Sequence, residues 1–561
     1  MTLSWLAAAG FSGEALRPWY HFHRREGEMN DPNGLQWRRL GDDPASQVSY
    51  EMFHQHSNGS TACYGSEGSG HVWAHASSPD LVRWVRRPET AHMTCASTGA
   101  GITLPPGFKG PNGESWLSAN LGSAPAMAGF PDETVGRGLK LWVSNDSATL
   151  NEYYEYLPPG TKTIVPATRQ NDACVICPAG VRPGPSNPPN WTRAADIGDS
   201  YIWSEPEWNV PSANRTFYAM SGQGRCPRGS HPPSDMWCGW AKGKEPQALL
   251  WSSKNLVDWR FVSEFYNGSR DDYTAVMTPE TFTFATGEQA FIWLGSKNTL
   301  WVTGRASRRG GELHHFTEQR FNGNPSMGWV DPAGGTHCGQ SMWDAKGRRI
   351  QFMWLGLSLP GANYTGAQTL PREIALAPPG SVTGLLFRPI PELETLHAPA
   401  APVFDEAFTL APGAGRTFAP ADDVGLHCHV KATLTMPPSV EQDCSVSLIV
   451  RAVGATAAGA PRSDSTSLLV NVSHAAGQRV VTFGSTAPVN ISRGSADVEL
   501  EVFVDGAIVE LFVNGGERVL TTNSGNPGSI AGTGLGWSAS GLSANVSSFR
   551  LWGMSKAISG P

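Results

Sequence analysis

Asp31 lies in Glu28-Met29-Asn30-Asp31-Pro32-Asn33-Gly34, a few residues after Trp19-Tyr20-His21-Phe22-His23. One carboxylate crowded by amides and aromatic rings is a combination suited to sugars. The carboxylate can attack an anomeric carbon, amides bind hydroxyls, and rings stack on the apolar sugar face. Asp-Pro and Asn-Gly are also turn punctuation, so taken alone the segment reads equally well as a loop.

The elements that must hold this segment are short strands. Val48–Phe53 and Leu139–Val143 alternate with period two, and Gln289–Leu294 and Arg349–Trp354 are similar apolar stretches. Such runs end in Gly, Pro, Asn or Asp. With 63 Gly, 43 Pro and 16% charged residues, the composition favours strands and turns over long helices. A chain of 561 residues exceeds one ordinary core, so two domains are expected. The pattern places an all-β domain over 14–390, a linker over 391–405 and a second domain over 406–556. Radial repetition of small sheets absorbs many short strands, although periodicity alone does not choose a propeller over a large sandwich. Regions 165–198 and 222–246 read as irregular inserts. In the second domain Val498, Leu500, Val502 and Val504 alternate with Glu499, Glu501 and Phe503. Asp505-Gly506 and Asn514-Gly515-Gly516 are hairpin turns, so this part reads as a β-sandwich.

A formal net charge of −7 gives no footprint for nucleic acid. The longest apolar run, around Trp5 to Gly10, is far short of a membrane span and poorly flanked for a signal peptide. Nine Asn-X-Ser/Thr sequons, at Asn58, Asn145, Asn190, Asn214, Asn267, Asn363, Asn471, Asn490 and Asn545, favour a secretory route. Nine cysteines point the same way: Cys174 with Cys177, Cys226 with Cys238 and Cys428 with Cys444 are candidate staples, a zinc site being the alternative for the first four.

Several blocks in order resemble glycoside hydrolase family 32, the invertases, inulinases and related fructosyltransferases. They are the Asn30-Asp31-Pro32-Asn33-Gly34 segment, Phe53-His54-Gln55, Trp73 to Trp84, Ala248 to Trp259, Gly347 to Ile350, Leu370 to Glu373 and Val502 to Glu510. The resemblance implies a five-bladed β-propeller with its site in the central funnel, followed by a C-terminal β-sandwich. It assigns Asp31 as nucleophile and Gln55, with Asn30, to sugar hydroxyls. Ser97, in Ala96 to Gly99, falls at another substrate-binding motif. Trp73 is either a stacking platform or packing, His75 a hydrogen-bonded structural residue, and Asp80 a turn cap. Arg372 and Glu373 read as an ion pair holding a blade.

The catalytic pattern departs from the family at two places. Where the family has Arg-Asp-Pro, this chain reads Ser204-Glu205-Pro206, so Glu205 takes the place of a carboxylate near the transition state. Where the family has its acid/base glutamate before Cys-Pro, this chain has Met277 before Thr278-Pro279, and methionine donates no proton. Glu280, three positions on, becomes the candidate donor if Pro279 creates a bulge that turns it inward; Asp271 and Asp272 are others. The reaction implied is retaining hydrolysis of β-fructofuranosides such as sucrose or fructo-oligosaccharides, with no metal or cofactor and a secreted, cell-wall or vacuolar setting. The same machinery serves a fructosyltransferase if a sugar hydroxyl replaces water. The two departures also allow a fructoside-binding protein without turnover.

Overall fold

In the computed structural model the described residues are 13–41, 46–57, 71–87, 98–111, 113–125, 137–145, 151–152, 174–176, 199–225, 245–267, 277–294, 299–420, 422–435, 444–452, 468–475, 478–492, 497–523 and 533–560. Nearly all regular structure is β-strand, and among these residues no helix is long and apolar enough to cross a membrane. Up to residue 389 the strands form antiparallel sheets. One runs Gly99–Thr103, Ser118–Pro125, Arg137–Ser144; another Ser200–Glu205, Thr216–Arg225, Glu245–Ser253, Trp259–Asn267; a third Met277–Thr283, Gln289–Leu294, Thr299–Arg309, Glu312–Glu318. A ten-stranded sheet joins the Gly27–Arg39 group to the Thr336–Trp343 group through a parallel pairing of Gly27–Glu28 with Tyr364–Thr365.

The first strand of each group touches the next. Gly27–Arg39 meets Gly99–Thr103, which meets Ser200–Glu205, then Met277–Thr283, then Thr336–Trp343, which returns to Gly27–Arg39. This closed ring of inner strands is the frame of a β-propeller. The expected strands Val48–Phe53, Leu139–Val143, Gln289–Leu294 and Arg349–Trp354 all lie inside observed ones. At the two expected inserts, Cys174–Ile176, Gly222–Arg225 and Glu245–Pro246 belong to strands, and the rest lies outside the described residues.

The second unit is a sandwich of two six-stranded sheets. Val498, Leu500, Val502 and Val504 are buried between them, as the alternation predicts. Phe503 points the other way and is equally buried, because it packs with Ile508, Phe512 and Val519 into the propeller's core. Gly506 turns the hairpin with φ +60°, and a Cβ there would meet the Leu16 carbonyl at 2.1 Å. Glycine is what lets the sandwich lie this close to the N-terminal segment.

One correction arises at this seam. Arg372 does not pair with Glu373; it donates to Glu510 at 2.8 Å and to Thr521 at 2.6 Å, and lies 3.4 Å from Asp331. Within the segment 391–405, Pro391–Leu396 forms a 3-10 turn with Leu393 and Leu396 buried. The C-terminal Ile558–Ser559 also returns to the propeller, parallel to Trp84–Val85. In the sandwich, Cys428 and Cys444 are separate buried thiols on different sheets, so that expected staple is absent. The other two cysteine pairs involve residues outside the described ones.

Candidate active site

Inner strands leave their ladders at the same end of the ring. On Gly27–Arg39 the register slips between Met29 and Pro32, on Met277–Thr283 between Met277 and Glu280, and on Thr336–Trp343 between His337 and Gln340. Each bulge sets two residues against one and re-aims a side chain. Thr278 and Cys338 hold a left-handed φ of 44° to do so. For non-glycine residues that conformation costs about 1–3 kcal/mol and collects at functional sites.

Asp31 stands in the first of these bulges, 8% exposed. Its Oδ2 accepts from Thr98 Oγ1 at 2.5 Å and from Gln55 Nε2 at 3.5 Å, and Gln55 also donates to Thr98 at 3.0 Å. The Cys338 thiol bonds to the same carboxyl. Burial pushes the Asp31 carboxyl above the usual aspartate range, and Thr98, Cys338 and the charge of His71 pull it partly back. The Cys338 thiol is pushed well up by burial and by the charges of Asp31 and Asp199. It therefore stays protonated and serves Asp31 as a donor. Asn30 lies beside His71, 3.5 Å away, and its carbonyl is fixed by Gln368 Nε2 at 2.8 Å. Asn30, Asp31 and Gln55 are thus brought together.

The remaining expected residues are placed differently. Trp73 is wholly enclosed against Phe53 and Trp142, so it packs the core and offers no face to a ligand. Ser97 lies outside the described residues; its neighbour Thr98 holds Asp31. Glu205 ends its strand, where it pairs with Arg308 at 2.7 Å. The strand from Ser200 to Glu205 spans about 17 Å, and the inner strands run side by side, so Glu205 is at the far end of the ring from Asp31. A retaining pair needs roughly 5–5.5 Å. The carboxyl at the near end is Asp199, 7% exposed and immediately before that strand. It acts electrostatically on the thiol that bonds Asp31.

Glu280 is engaged by its neighbours. The bulge at Pro279 is present, but Glu280 Oε2 accepts from the Ser341 backbone at 3.0 Å, the Ser341 hydroxyl at 2.7 Å and Arg349 at 3.1 Å. Arg349 in turn donates to the Tyr201 hydroxyl at 2.5 Å. Glu280 is anchored in this layer. The Met277 side chain, Asp271 and Asp272 lie outside the described residues. His75 and Asp80 match their structural readings. His75 bonds Glu51 at 2.7 Å, and Asp80 Oδ1 accepts from the backbone of Val82 and Arg83.

Asp199, Thr98 and Cys338 were missed by sequence reasoning. Thr98 adjoins the flagged Ser97. Asp199 has a signal in its position, since it opens an inner strand as Asp31 does, but Glu205-Pro206 matched the family spelling better. Nothing in the sequence marks Cys338. Among the described residues no group of three or more His, Cys, Asp or Glu is arranged to hold a metal ion.

Comparison with known proteins identifies the family and agrees with the fold. The profile "Glycosyl hydrolases family 32 N-terminal domain" matches residues 21–98 and 234–389, and "Glycosyl hydrolases family 32 C terminal" matches 425–553. A levanase of Bacillus sp. (strain L7) is 24% identical over 70% of this chain, which spans only 36% of that protein. An extracellular exo-inulinase of Aspergillus niger is 23% identical, covering 92% of this chain and 91% of its own length. A Bombyx mori GH32 β-fructofuranosidase solved with sucrose superposes with a TM-score of 0.63 at 16% identity, over 99% of this chain and 97% of that one. The chain belongs to glycoside hydrolase family 32.

Proposed function

We propose that this protein is a glycoside hydrolase that cleaves β-fructofuranosides by retaining double displacement, with Asp31 as nucleophile. The observation that carries the proposal is a buried carboxylate, aimed by a bulge and held, among the described residues, by neutral donors, with the carboxyl of Asp199 on the same side. Asp31 attacks the anomeric carbon while the bond to the leaving oxygen breaks and Asp199 gives that oxygen its proton. Water, deprotonated by Asp199, then attacks the fructosyl–Asp31 ester and frees the sugar with retained configuration. Asn30 and Gln55 bind hydroxyls of the fructosyl unit, and Thr98 and Cys338 fix the attacking oxygen. Sucrose and fructo-oligosaccharides are the proposed substrates, in line with the sucrose held by the Bombyx mori relative. We read the ring of inner strands as five blades, with 14–390 and 406–556 as the two domains. Secretion is supported by the extracellular Aspergillus relative and by exposed sequons at Asn145, Asn214, Asn363, Asn490 and Asn545.

The test is release of fructose from sucrose, inulin and an aryl β-fructofuranoside. Asp31→Asn should be inactive on all three. Asp199→Asn should lose sucrose and inulin but still expel the aryl group in a burst of about one equivalent, since that leaving group needs no proton, with later turnover limited by the ester that no base hydrolyses. Absence of that burst would remove Asp199 as the acid. Oligomers in place of free fructose would make the chain a fructosyltransferase. A second reading, fructoside binding without turnover, is favoured by Met277 at the donor's place and by Glu280's engagement with Arg349. Calorimetric binding of 1-kestose with no product after prolonged incubation would establish it.

A further inference from the structure

The other end of the ring carries a separate cavity of about 420 Å³, within the range of small-molecule sites. Gln36, Trp37, Glu207, Trp208, Trp343 and Arg349 line it. Asp31 does not. Gln36 and Trp37 lie five and six residues further along the same strand, on the order of 15 Å away at an extended rise.

Three features point to a ligand. Gln36 is 4% exposed, lines the cavity, and neither side-chain amide atom has a partner. A buried amide in that state costs about 1–3 kcal/mol unless something else meets it. Glu207 makes no side-chain hydrogen bond or ion pair among the described residues, while its neighbours are committed: Glu205 to Arg308, Asp344 to Arg348 and Arg349 to Glu280. Two indoles form the wall, Trp37 and Trp208 edge to face at 4.9 Å, and the half-buried Trp343 adds a third.

The charge balance selects the ligand class. Arg349, the basic side chain in the lining, is already paired with Glu280, so an anion meets no uncommitted cation among the described residues of the wall. Burial lifts Glu207 to about 7, which favours a neutral carboxyl and gives little grip on a cation. An amide, a carboxyl and indole faces suit a neutral polyol with an apolar face. We propose that this cavity is a second, non-catalytic carbohydrate-binding site, taking a unit of a neutral oligosaccharide at the end of the propeller opposite Asp31.

The experiment uses the full chain carrying Asp31→Asn, so that no probe is consumed. Maltotriose, xylotriose and cellotriose, none containing fructose, are titrated by calorimetry with tryptophan fluorescence as a second readout. At least one should bind with one equivalent per chain. Trp208→Ala and Glu207→Ala should each weaken it by about tenfold or more, or about 1.4 kcal/mol. In the Asp31 background both should leave sucrose turnover unchanged, and Glu207→Gln, which keeps the hydrogen bonds, should retain binding. No binding of any trisaccharide, or binding unaltered by both Trp208→Ala and Glu207→Ala, would overturn the proposal. Because the readout is binding, it stands apart from whether the chain hydrolyses fructosides.

Discussion

Asp31 in the propeller and Asp505 at the sandwich seam are both buried aspartates, yet their surroundings differ in kind. Asp505 accepts from the backbone of Trp19, Tyr20 and His21 at 2.6, 2.9 and 2.7 Å, and from the imidazoles of His21 and His427 at 2.9 and 2.7 Å. Burial opposes its ionisation but is outweighed by the two histidines, so its carboxyl falls well below the usual range. Asp31 has a hydroxyl, a thiol and an amide as donors, and burial lifts it. A carboxylate saturated by cations and backbone amides is an anchor. One met by neutral donors, as Asp31 is among the described residues, keeps its charge available for an incoming carbon.

Exchange of each for asparagine breaks this comparison most sharply. Asp31→Asn should cost at least ~10³-fold in kcat on sucrose, with a melting temperature equal to or above that of the parent. Asp505→Asn should lose about 3–5 kcal/mol of stability by taking from His427 its carboxylate and from His21 one of its two, with kcat retained below the melting transition. The reverse pattern in melting and kinetics would mean that the two roles are misassigned. Arg372→Met should destabilise by a similar ~3–5 kcal/mol in denaturant titrations, since it strands Glu510 and Asp331 inside the seam.

Much of the architecture was legible because strands announce themselves through alternation and turn residues. Val498 to Val504 did so, and so did the Gly506 hairpin. What sequence hid were encounters between distant segments: Phe503 looked solvent-facing because the propeller that covers it is more than a hundred residues away. Asp31 could be found because its neighbours spell a recognisable motif. Asp199 and Glu280 show the limit. A motif match fixed on Glu-Pro at the wrong end of a strand. The bulge at Pro279 was foreseeable, but Arg349's claim on Glu280 required the fold.

Two finer measurements sharpen the contrast. Thr98→Val removes a hydrogen bond that lowers the Asp31 pKa, so the acidic limb of the pH–rate profile should move to higher pH and kcat should fall about tenfold. Thr98→Ser should restore both. At the seam, burial disfavours charged His21, but Asp505 and Glu510 outweigh it and raise its pKa to about 9. The stabilisation is full below the ordinary histidine value near 6.5 and is lost as pH rises through about 9. The melting temperature should decline across that window, and His21→Asn should flatten the decline. This is the smallest effect expected.

The most direct test of the account is the identity of the residue that carries the sugar. The Asp199→Asn variant is mixed with an aryl β-fructofuranoside, quenched in acid, digested and weighed by mass spectrometry. The account predicts a single fructosyl adduct on the peptide containing Asp31. An adduct on another residue, or steady turnover with inverted product and no adduct, would contradict it.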